Sequence, residues 1–424
     1  MSAALATLSP QTLPAPLPTG APPPLGLYVH VPFCERKCPY CDFNTYAGLE
    51  AWFTRTVDAL CQELARQWRN LGLYARPVTS VFVGGGTPTV LDATQLTRLF
   101  DALHTTVHLA PGCEITCEAN PGTVDRAKFR LLRQLGVNRL SLGVQSFQPN
   151  ELAFLGRIHD VDDVTRAVDA ARAAGFDNIN LDFIFGLPDQ PLTAWEASLR
   201  AALALEPEHL SLYSLIVEPN TPLQHWVASG RVAAPDDDLA ATHYESALAH
   251  LDAAGYSHYE VSNWAKTQPG ATVAPGDNPP AACRHNLLYW RNQEYVGIGP
   301  GAHSHLRMAE PGGERFSRRW SNRKPVPGYV KRVLAGDDVV EMQESLTARV
   351  SMGEQMMLGL RLVREGVSLA DFQARFGADA RAVFRDELAR LAALELIRVD
   401  DTRIRLTRRG LMVGNQVFAM FLDA

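Results

Sequence analysis

Cysteine and uninterrupted apolar sequence are both scarce in this chain. It has seven cysteines in 424 residues, and an odd number in a long chain argues against a disulfide framework and for a reducing, cytoplasmic environment. No apolar run approaches the roughly 18 residues that a membrane-spanning helix requires, so we expect a soluble protein. The first 26 residues carry no charge, and they therefore lack the basic start of a secretory signal and the arginines of a transit peptide.

Positive charge is not in excess either. With a net charge of −6, the sequence does not predict a general nucleic-acid binder. Hydrophobic residues make up 46% and charged residues 20% of the chain, which is ordinary for a folded protein. Seven prolines lie between Pro10 and Pro24, and they predict that residues 1–25 form a disordered, Pro/Ala-rich tail.

After this tail, short apolar runs alternate with helical patterns, which is typical of parallel βαβ units. The predicted strands lie at residues 27–31, 80–84, 114–119, 138–144, 178–185 and 209–217. The predicted helices lie at residues 49–70, 92–105, 124–135, 161–174, 191–204 and 236–254. The sequence therefore predicts an α/β fold with a partial (β/α)6 barrel.

Several of the predicted strands have one polar face. In NINLDFIF the alternation places Asp182 opposite an apolar face, and the same holds for Glu118 in EITCEA and Gln145 in NRLSLGVQ. A packed barrel core is dominated by branched aliphatic side chains, so polar side chains in the lumen predict a cavity for a polar ligand. Polar networks that are satisfied within the protein are the alternative.

Three of the seven cysteines lie in VPFCERKCPYC, directly after the first predicted strand. The carboxyl ends of barrel strands are where barrel enzymes place their chemistry. Cys34, Cys38 and Cys41 offer three thiolates, with only Asp42 or His30 nearby as a fourth ligand. A structural zinc ion prefers four ligands, whereas three thiolates can hold a [4Fe–4S] cluster whose fourth iron is open. We predict the cluster, with zinc or buried thiols as the alternatives.

The spacing CxxxCxxC after the first strand of an α/β barrel resembles the radical S-adenosylmethionine (SAM) enzymes. The resemblance implies a radical SAM barrel over residues 26–260, with SAM bound beside the cluster. The glycine-rich VGGGTPT resembles the segment that binds the SAM amino group in this family, although glycines also end strands for steric reasons. The positions matched to the SAM site are Tyr40, Phe43, Gly84, Gly85, Thr87, Glu118, Gln145, Arg157 and Asp182.

Within this family, residues 26–420 or so resemble the oxygen-independent coproporphyrinogen dehydrogenases and the related heme chaperone branch, HemW. The dehydrogenases carry a fourth cysteine two residues after the third, where this chain has Phe43, and a longer N-terminal region that helps hold a second SAM. RHNLLYW at residues 284–290 resembles the HNxxYW motif of the chaperones. The resemblance therefore implies a chaperone that passes heme to acceptor proteins such as membrane-bound respiratory enzymes. Radical oxidative decarboxylation of coproporphyrinogen III is the alternative, and whether the chain cleaves SAM as an enzyme stays open.

The HNxxYW motif suggests a heme site. His285 supplies an imidazole, which is a common iron ligand, and Tyr289 and Trp290 supply aromatic surface. Core or interface positions on a strand are the alternative for these side chains. His258 and His303 are further candidate ligands, and simple solvation is the alternative for both.

The last third of the chain predicts two further regions. Residues 261–340 form a connecting β/loop region with the HNxxYW motif and a Pro/Gly/Ala-rich mobile loop at residues 266–282. Residues 341–424 form a mainly helical domain in which LIRVDDTRIRLT adds two short strands, as in a winged helix. A nucleic-acid reader is the alternative for this domain, but its basic and acidic residues nearly balance, so we expect no nucleic-acid partner. The edge of an incomplete barrel would permit a homodimer.

Replacing Cys38 with alanine should abolish the brown iron–sulfur absorption of anaerobically reconstituted protein, because a cluster ligand is lost. The matched control is Cys61→Ala, since Cys61 lies in a helical pattern outside the motif and its loss should leave the absorption intact. An unchanged visible spectrum in Cys38→Ala would contradict the cluster assignment.

Overall fold

The computed structural model describes residues 23–267, 274, 276–309 and 315–422. The predicted disordered tail lies outside these ranges except for residues 23–25. The predicted mobile loop at residues 266–282 lies outside them at residues 268–273 and 275.

The strands fall into one long sheet and one short sheet. In chain order they are β1 (Leu25–Val31), β2 (Val78–Gly85), β3 (Leu109–Ala119), β4 (Arg139–Gln145), β5 (Ile179–Phe185), β6 (His209–Ser214), β7 (Tyr256–Glu260), β8 (Asn263–Lys266), β9 (Glu294–Ile298), β10 (His303–Ala309), β11 (Arg315–Asn322), β12 (Val340–Leu346), β13 (Val367–Ser368), β14 (Ile397–Val399) and β15 (Arg403–Leu406). The first twelve form the long sheet, and the last three form the short one.

The helices cover the long sheet and build most of the C-terminal unit. They are α1 (Phe53–Asn70), α2 (Ala93–Thr106), α3 (Arg126–Gln134), α4 (Pro149–Phe154), α5 (Val161–Ala173), α6 (Leu192–Ala204), α7 (Pro222–Ala228), α8 (Asp237–Ala253), α9 (Arg284–Trp290), α10 (Val326–Ala335), α11 (Ala348–Gly359), α12 (Leu369–Phe376), α13 (Ala380–Val383), α14 (Arg385–Ala393), α15 (Arg408–Met412) and α16 (Gly414–Ala419). Within the described ranges, none of these helices has both the length and the apolar character needed to cross a bilayer.

The six strands β1 to β6 are parallel neighbours in sequence order. The predicted α/β fold with a partial barrel is therefore confirmed. Large side chains between the sheet and its helices, such as Trp68, Phe100 and Trp195, are fully enclosed. This apolar layer anchors the strands, and their carboxyl ends then lie together along one edge of the barrel.

The long sheet continues beyond the six strands that the sequence predicts. β9 pairs in parallel with β1, and β10 to β12 follow it as antiparallel strands, while β8 and β7 extend the other edge beyond β6. The strands within residues 261–340, β8 to β11, therefore belong to the same sheet as the barrel. The sequence does not reveal this pairing, because the partner strands β1 and β9 are far apart along the chain.

The HNxxYW motif forms the short helix α9 rather than the strand that the sequence analysis considered. Glu114 on β3 explains where this helix begins, because its carboxylate accepts hydrogen bonds from the backbone N–H groups of Arg284 (3.0 Å) and His285 (3.1 Å). Both are free N–H groups of the first turn, which a carboxylate stabilises. Leu287 and Leu288 pack inward from the next turn.

The C-terminal unit has its own apolar core, which includes Met356, Phe372, Phe384 and Phe418. Its three short strands pair in the order β13, β15, β14, and β14 and β15 flank the predicted Asp-Asp-Thr turn. Helices with a small antiparallel sheet match the winged-helix-like domain that the sequence predicts. Met356 on α11 is fully buried in this core.

Glu63 on α1 joins the two halves of the long sheet. It is fully buried, and its carboxylate accepts hydrogen bonds from the Gly299 N–H (2.8 Å), the Asn322 amide (2.7 Å) and the Tyr329 hydroxyl. Burial raises the pKa of Glu63, while these three donors act in the opposite direction. One side chain thus ties the first barrel helix to the segment that follows β9.

Glu63→Ala should lower the free energy of unfolding by about 2–4 kcal/mol, because buried donors would lose their acceptor. Urea unfolding of the full chain measures this change. Glu50→Ala is the matched control, since Glu50 is exposed and its loss should cost no more than about 0.5 kcal/mol. Equal effects of the two substitutions would contradict the role of Glu63.

Candidate functional site

A cavity of about 400 Å³ opens at the carboxyl ends of the barrel strands. All of the residues predicted for the cluster and for SAM line this cavity except Gly84. They are Cys34, Cys38, Tyr40, Cys41, Phe43, Gly85, Thr87, Glu118, Gln145, Arg157 and Asp182. Side chains from the first five strands and their following loops therefore meet in one place, as expected for the active edge of a barrel.

The cysteine loop is held by backbone and side-chain contacts. The Cys34 N–H donates to the Tyr46 carbonyl (3.0 Å), which closes the loop on itself. The Thr87 hydroxyl lies 3.6 Å from the Cys34 sulfur, and an Arg157 guanidinium nitrogen lies 3.5 Å from the Cys38 sulfur. All three thiols are half-buried, and burial raises the pKa of Cys34 and of Cys41.

The donor set of this loop fits an iron–sulfur cluster. Three thiols line one cavity wall with a hydroxyl and a guanidinium beside them, and such donors stabilise the negative charge of a thiolate-bound cluster. The other four cysteines do not line this cavity. Within the described ranges, no three His, Cys, Asp or Glu side chains surround the position of a single metal ion.

The glycine-rich segment after β2 has a packing reason for its composition. A Cβ on Gly84 would lie 2.7 Å from a Glu118 carboxylate oxygen, and a Cβ on Gly85 would lie 2.4 Å from the His30 ring. Gly85 also has φ +107°, a conformation that favours glycine. The steric alternative considered for these glycines therefore applies, and a role in SAM binding would be additional to it.

Two carboxyl groups lie inside the barrel beside the cysteine loop. Glu118 accepts a hydrogen bond from the Gly85 N–H (2.9 Å), and Asp182 accepts from the Ser141 hydroxyl (2.9 Å) and the Asn180 amide (2.8 Å). Burial and the nearby Asp182 raise the pKa of Glu118 to about 8, and burial also raises the pKa of Asp182. Both side chains lie in the lumen, as strand alternation predicts.

Gln145 reaches the cavity through strained backbone. Its φ is +70°, and the pairing of β4 with β5 shifts register between Gly143 and Gln145. Arg157 donates to the Gly143 carbonyl (2.6 Å), and a Cβ on Gly143 would lie about as close to Arg157 (3.1 Å) as to Gln145 (3.0 Å). A left-handed residue and a bulge are common devices for aiming a side chain at a site, and the alternation pattern gives no signal for them.

The sequence analysis did not identify the residues at the carboxyl end of β6 as part of this cavity. β6 ends at Ser214, earlier than predicted, and the residues around that end line the cavity. Tyr213 is 42% exposed and Ile216 is 60% exposed. Large side chains at the carboxyl end of a predicted barrel strand are the signal that could have identified them.

His285 lies in a second, smaller cavity of about 210 Å³ below the first. Its Nδ1 is 2.9 Å from the Ser80 hydroxyl, and its Nε2 is 3.0 Å from the Tyr289 hydroxyl. Burial, with a smaller effect of Arg139, lowers the pKa of His285 to about 3. Ligation of heme iron by His285 stays a prediction, and it would require one of these hydrogen bonds to break.

His258 and His303, the other candidate ligands, lie in different places. His258 is stacked on Trp264 with ring centroids 4.3 Å apart, and it lines neither of the two cavities described above. His303 is exposed and lines a third cavity, of about 590 Å³. Partial burial, with the positive charges of Lys324 and Arg319, lowers the pKa of His303.

The chain is similar to known proteins along almost all of its length. Residues 28–202 match the radical SAM superfamily, and residues 346–413 match the HemN C-terminal domain. The heme chaperone HemW of Bacillus subtilis is 36% identical over 93% of this chain and 98% of its own, and that of Escherichia coli is 37% identical over 94% and 98%. The structure of coproporphyrinogen III oxidase (HemN) from Escherichia coli shares the fold, with a TM-score of 0.78 at 24% identity over 94% of this chain and 90% of its own.

In the cofactor-free protein, Glu118→Gln should raise the thermal midpoint by roughly a few degrees at pH 8 and by less at pH 5. The pKa of Glu118 is raised to about 8, so the stability that its proton provides is complete below the unfolded pKa of about 4.5 and is lost as the pH rises towards 8. The glutamine side chain does not titrate, so it adds no such pH dependence to the stability of the variant.

Thermal unfolding of both proteins at the two pH values tests this expectation. Glu245→Gln is the control, because Glu245 is an exposed carboxyl on α8. A difference between wild type and Glu118→Gln that stays constant from pH 5 to pH 8 would contradict the raised pKa.

Proposed function

The chain belongs to the HemW family of radical SAM proteins, and on this basis we propose that it is a heme chaperone that also holds a [4Fe–4S] cluster and SAM. The observation that carries the heme assignment is the similarity to HemW chaperones over more than nine tenths of the chain. Membership of the radical SAM superfamily implies the cluster and SAM. The cavity at the carboxyl ends of the barrel strands supports this reading with three thiols in one wall.

Cys34, Cys38 and Cys41 would ligate the cluster. When bound, the cluster supplies an open iron for SAM and a source of one electron. The residues proposed to contact SAM are Tyr40, Phe43, Gly84, Gly85, Thr87, Glu118, Gln145, Arg157 and Asp182. Arg157 is suited to a carboxylate because it provides a guanidinium inside the cavity. Glu118 and Asp182 are suited to hydroxyl or amino groups because their oxygens accept hydrogen bonds.

We further propose that heme passes from this protein to acceptor proteins, such as membrane-bound respiratory enzymes, and that this transfer takes place in the cytoplasm. Exposed apolar side chains at the cavity mouth, Phe43 at 64% and Ile216 at 60%, support contact with another protein, because large exposed apolar groups often mark such surfaces. A homodimer built on an end strand of the long sheet, β7 or β12, is part of the same proposal.

Coproporphyrinogen dehydrogenation is the second candidate function. The similarity of the whole fold to HemN favours it. Phe43 argues against it, because the resemblance places a fourth cysteine at this position in the dehydrogenases and a phenylalanine has no thiol.

Anaerobically reconstituted wild-type protein should bind heme in a titration that is followed by heme absorption, and it should not convert coproporphyrinogen III to protoporphyrinogen in the presence of SAM and a reductant. Cys38→Ala is the control, because it removes a proposed cluster ligand and separates heme binding from the cluster. Turnover of coproporphyrinogen III without saturable heme binding would reverse the assignment.

A further inference from the structure

The cavity of about 590 Å³ lies between the cysteine loop, β10 and α11, and most of its lining residues are outside the proposed SAM site. We infer that this cavity is the heme site and that His303 ligates the heme iron. The inference rests on the proposed function, because it assigns a place to the heme. It differs from the sequence-based prediction, which assigned the iron to His285.

The size and the walls of the cavity suit a flat organic ligand. Sites for such ligands usually enclose about 300–1,000 Å³ and are lined mainly by apolar and aromatic side chains. Tyr289 and Trp290, the aromatic residues of the HNxxYW motif, line this cavity, and Tyr295 and Met357 extend the same surface. The cavity that contains His285 is smaller, at about 210 Å³, and is lined largely by polar side chains. Of the motif's residues, Trp290 lines the large cavity, His285 lines the small one, and Tyr289 lines both.

His303 is better placed than His285 to bind an iron atom. It is exposed and lines the cavity, and no hydrogen bond to its ring nitrogens occurs in the described part of the chain. Both ring nitrogens of His285 already have partners. His305, two residues along the same face of β10, also lines the cavity; its Nδ1–H donates to the Gln293 carbonyl (3.1 Å), and its Nε2 is buried without a hydrogen-bond partner. Because His303 is exposed and His305 is buried, His303 is the imidazole of this cavity that a ligand reaches without a shift of β10.

Positive charge at the cavity wall suits the two propionates of heme. Arg319 and Lys324 both line the cavity. Arg319 is already paired with Glu344 (2.6 Å) and Glu354 (2.8 Å). Lys324 is exposed, and no carboxylate pairs with it among the residues that the structure describes. We therefore assign the propionate contact to Lys324.

The heme cavity adjoins the proposed cluster and SAM site. Phe43, Gly85 and Glu118 line both cavities. The side-chain amide of Asn44, three residues after the last cysteine of the loop, donates to the carbonyls of Pro300 (2.8 Å) and Lys324 (3.0 Å). Direct hydrogen bonds therefore join the end of the cysteine loop to the rim of the heme cavity.

Titration of hemin into the full chain with its cluster reconstituted tests the ligand assignment. His303→Ala should weaken heme binding roughly tenfold or more, and the spectrum of the remaining complex should lose its histidine-ligated character. His303→Tyr should keep heme bound with the altered spectrum of a tyrosine ligand. His108→Ala is the matched control, since His108 is exposed and distant in sequence, and it should behave as wild type.

Binding of metal-free protoporphyrin IX distinguishes the contribution of the iron ligand from that of the cavity walls. It should bind wild type and His303→Ala equally well, because it has no iron, whereas Leu358→Trp should obstruct the cavity that Leu358 lines and weaken both porphyrins. Heme affinity and spectra that are unchanged in His303→Ala, or lost in a correctly folded His285→Ala, would overturn the inference and leave the proposed function intact. Failure of wild type to bind heme would instead reject the proposed function.

Discussion

The hydrogen bond from the Gly85 N–H to the Glu118 carboxylate connects the parts of this protein on which its chemistry depends. It joins the glycine-rich end of β2 to β3, and no other residue at Gly84 would leave room for the carboxylate. Glu118 is half-buried and lines all three cavities, so one carboxyl group borders the cavity of the cysteine loop, the small polar cavity and the large aromatic cavity. Because burial favours its protonated form, Glu118 can also donate a hydrogen bond at neutral pH.

The large cavity depends on contacts that α9 makes with the barrel and with the C-terminal unit. Glu114 on β3 anchors the start of α9, and the guanidinium of Arg361 lies 4.5 Å from the ring centroid of Trp290, in cation–π contact. Arg291, just after α9, forms an ion pair with Glu365 of the C-terminal unit (2.8 Å). These contacts fix the helix between the barrel and the C-terminal unit, and the large cavity forms where the three meet. The HNxxYW motif, which by itself suggests a binding site, therefore also holds the barrel and the C-terminal unit together.

Sequence patterns predicted the features that depend on local periodicity. Strand alternation identified Glu118 and Asp182 as lumen residues, and the βαβ pattern identified the parallel strands β1 to β6. The pairing of β9 with β1 was not predictable, because it depends on packing between residues such as Leu25 and Glu294 that are far apart along the chain. Strand alternation also placed Gln145 in the site, but it did not predict its left-handed backbone, because a β-bulge does not change the alternation of residue types. The HNxxYW motif was recognised, but its helix requires Glu114 from another strand and could not be read locally.

Coproporphyrinogen III oxidase (HemN) shares the fold of this chain, so a difference in activity would lie in side chains at the cavities rather than in the sheet. Phe43 is the clearest example in this chain. By the resemblance, it occupies the position of the additional cysteine in the dehydrogenases. It is 64% exposed, and it lines both the cavity of the cysteine loop and the large aromatic cavity. A thiol there would add a polar, reactive group between the two sites, whereas a phenyl ring adds apolar surface that a porphyrin can contact. Under the proposed function, Phe43 would thus provide contact surface for heme where the resemblance places a thiol in the dehydrogenases.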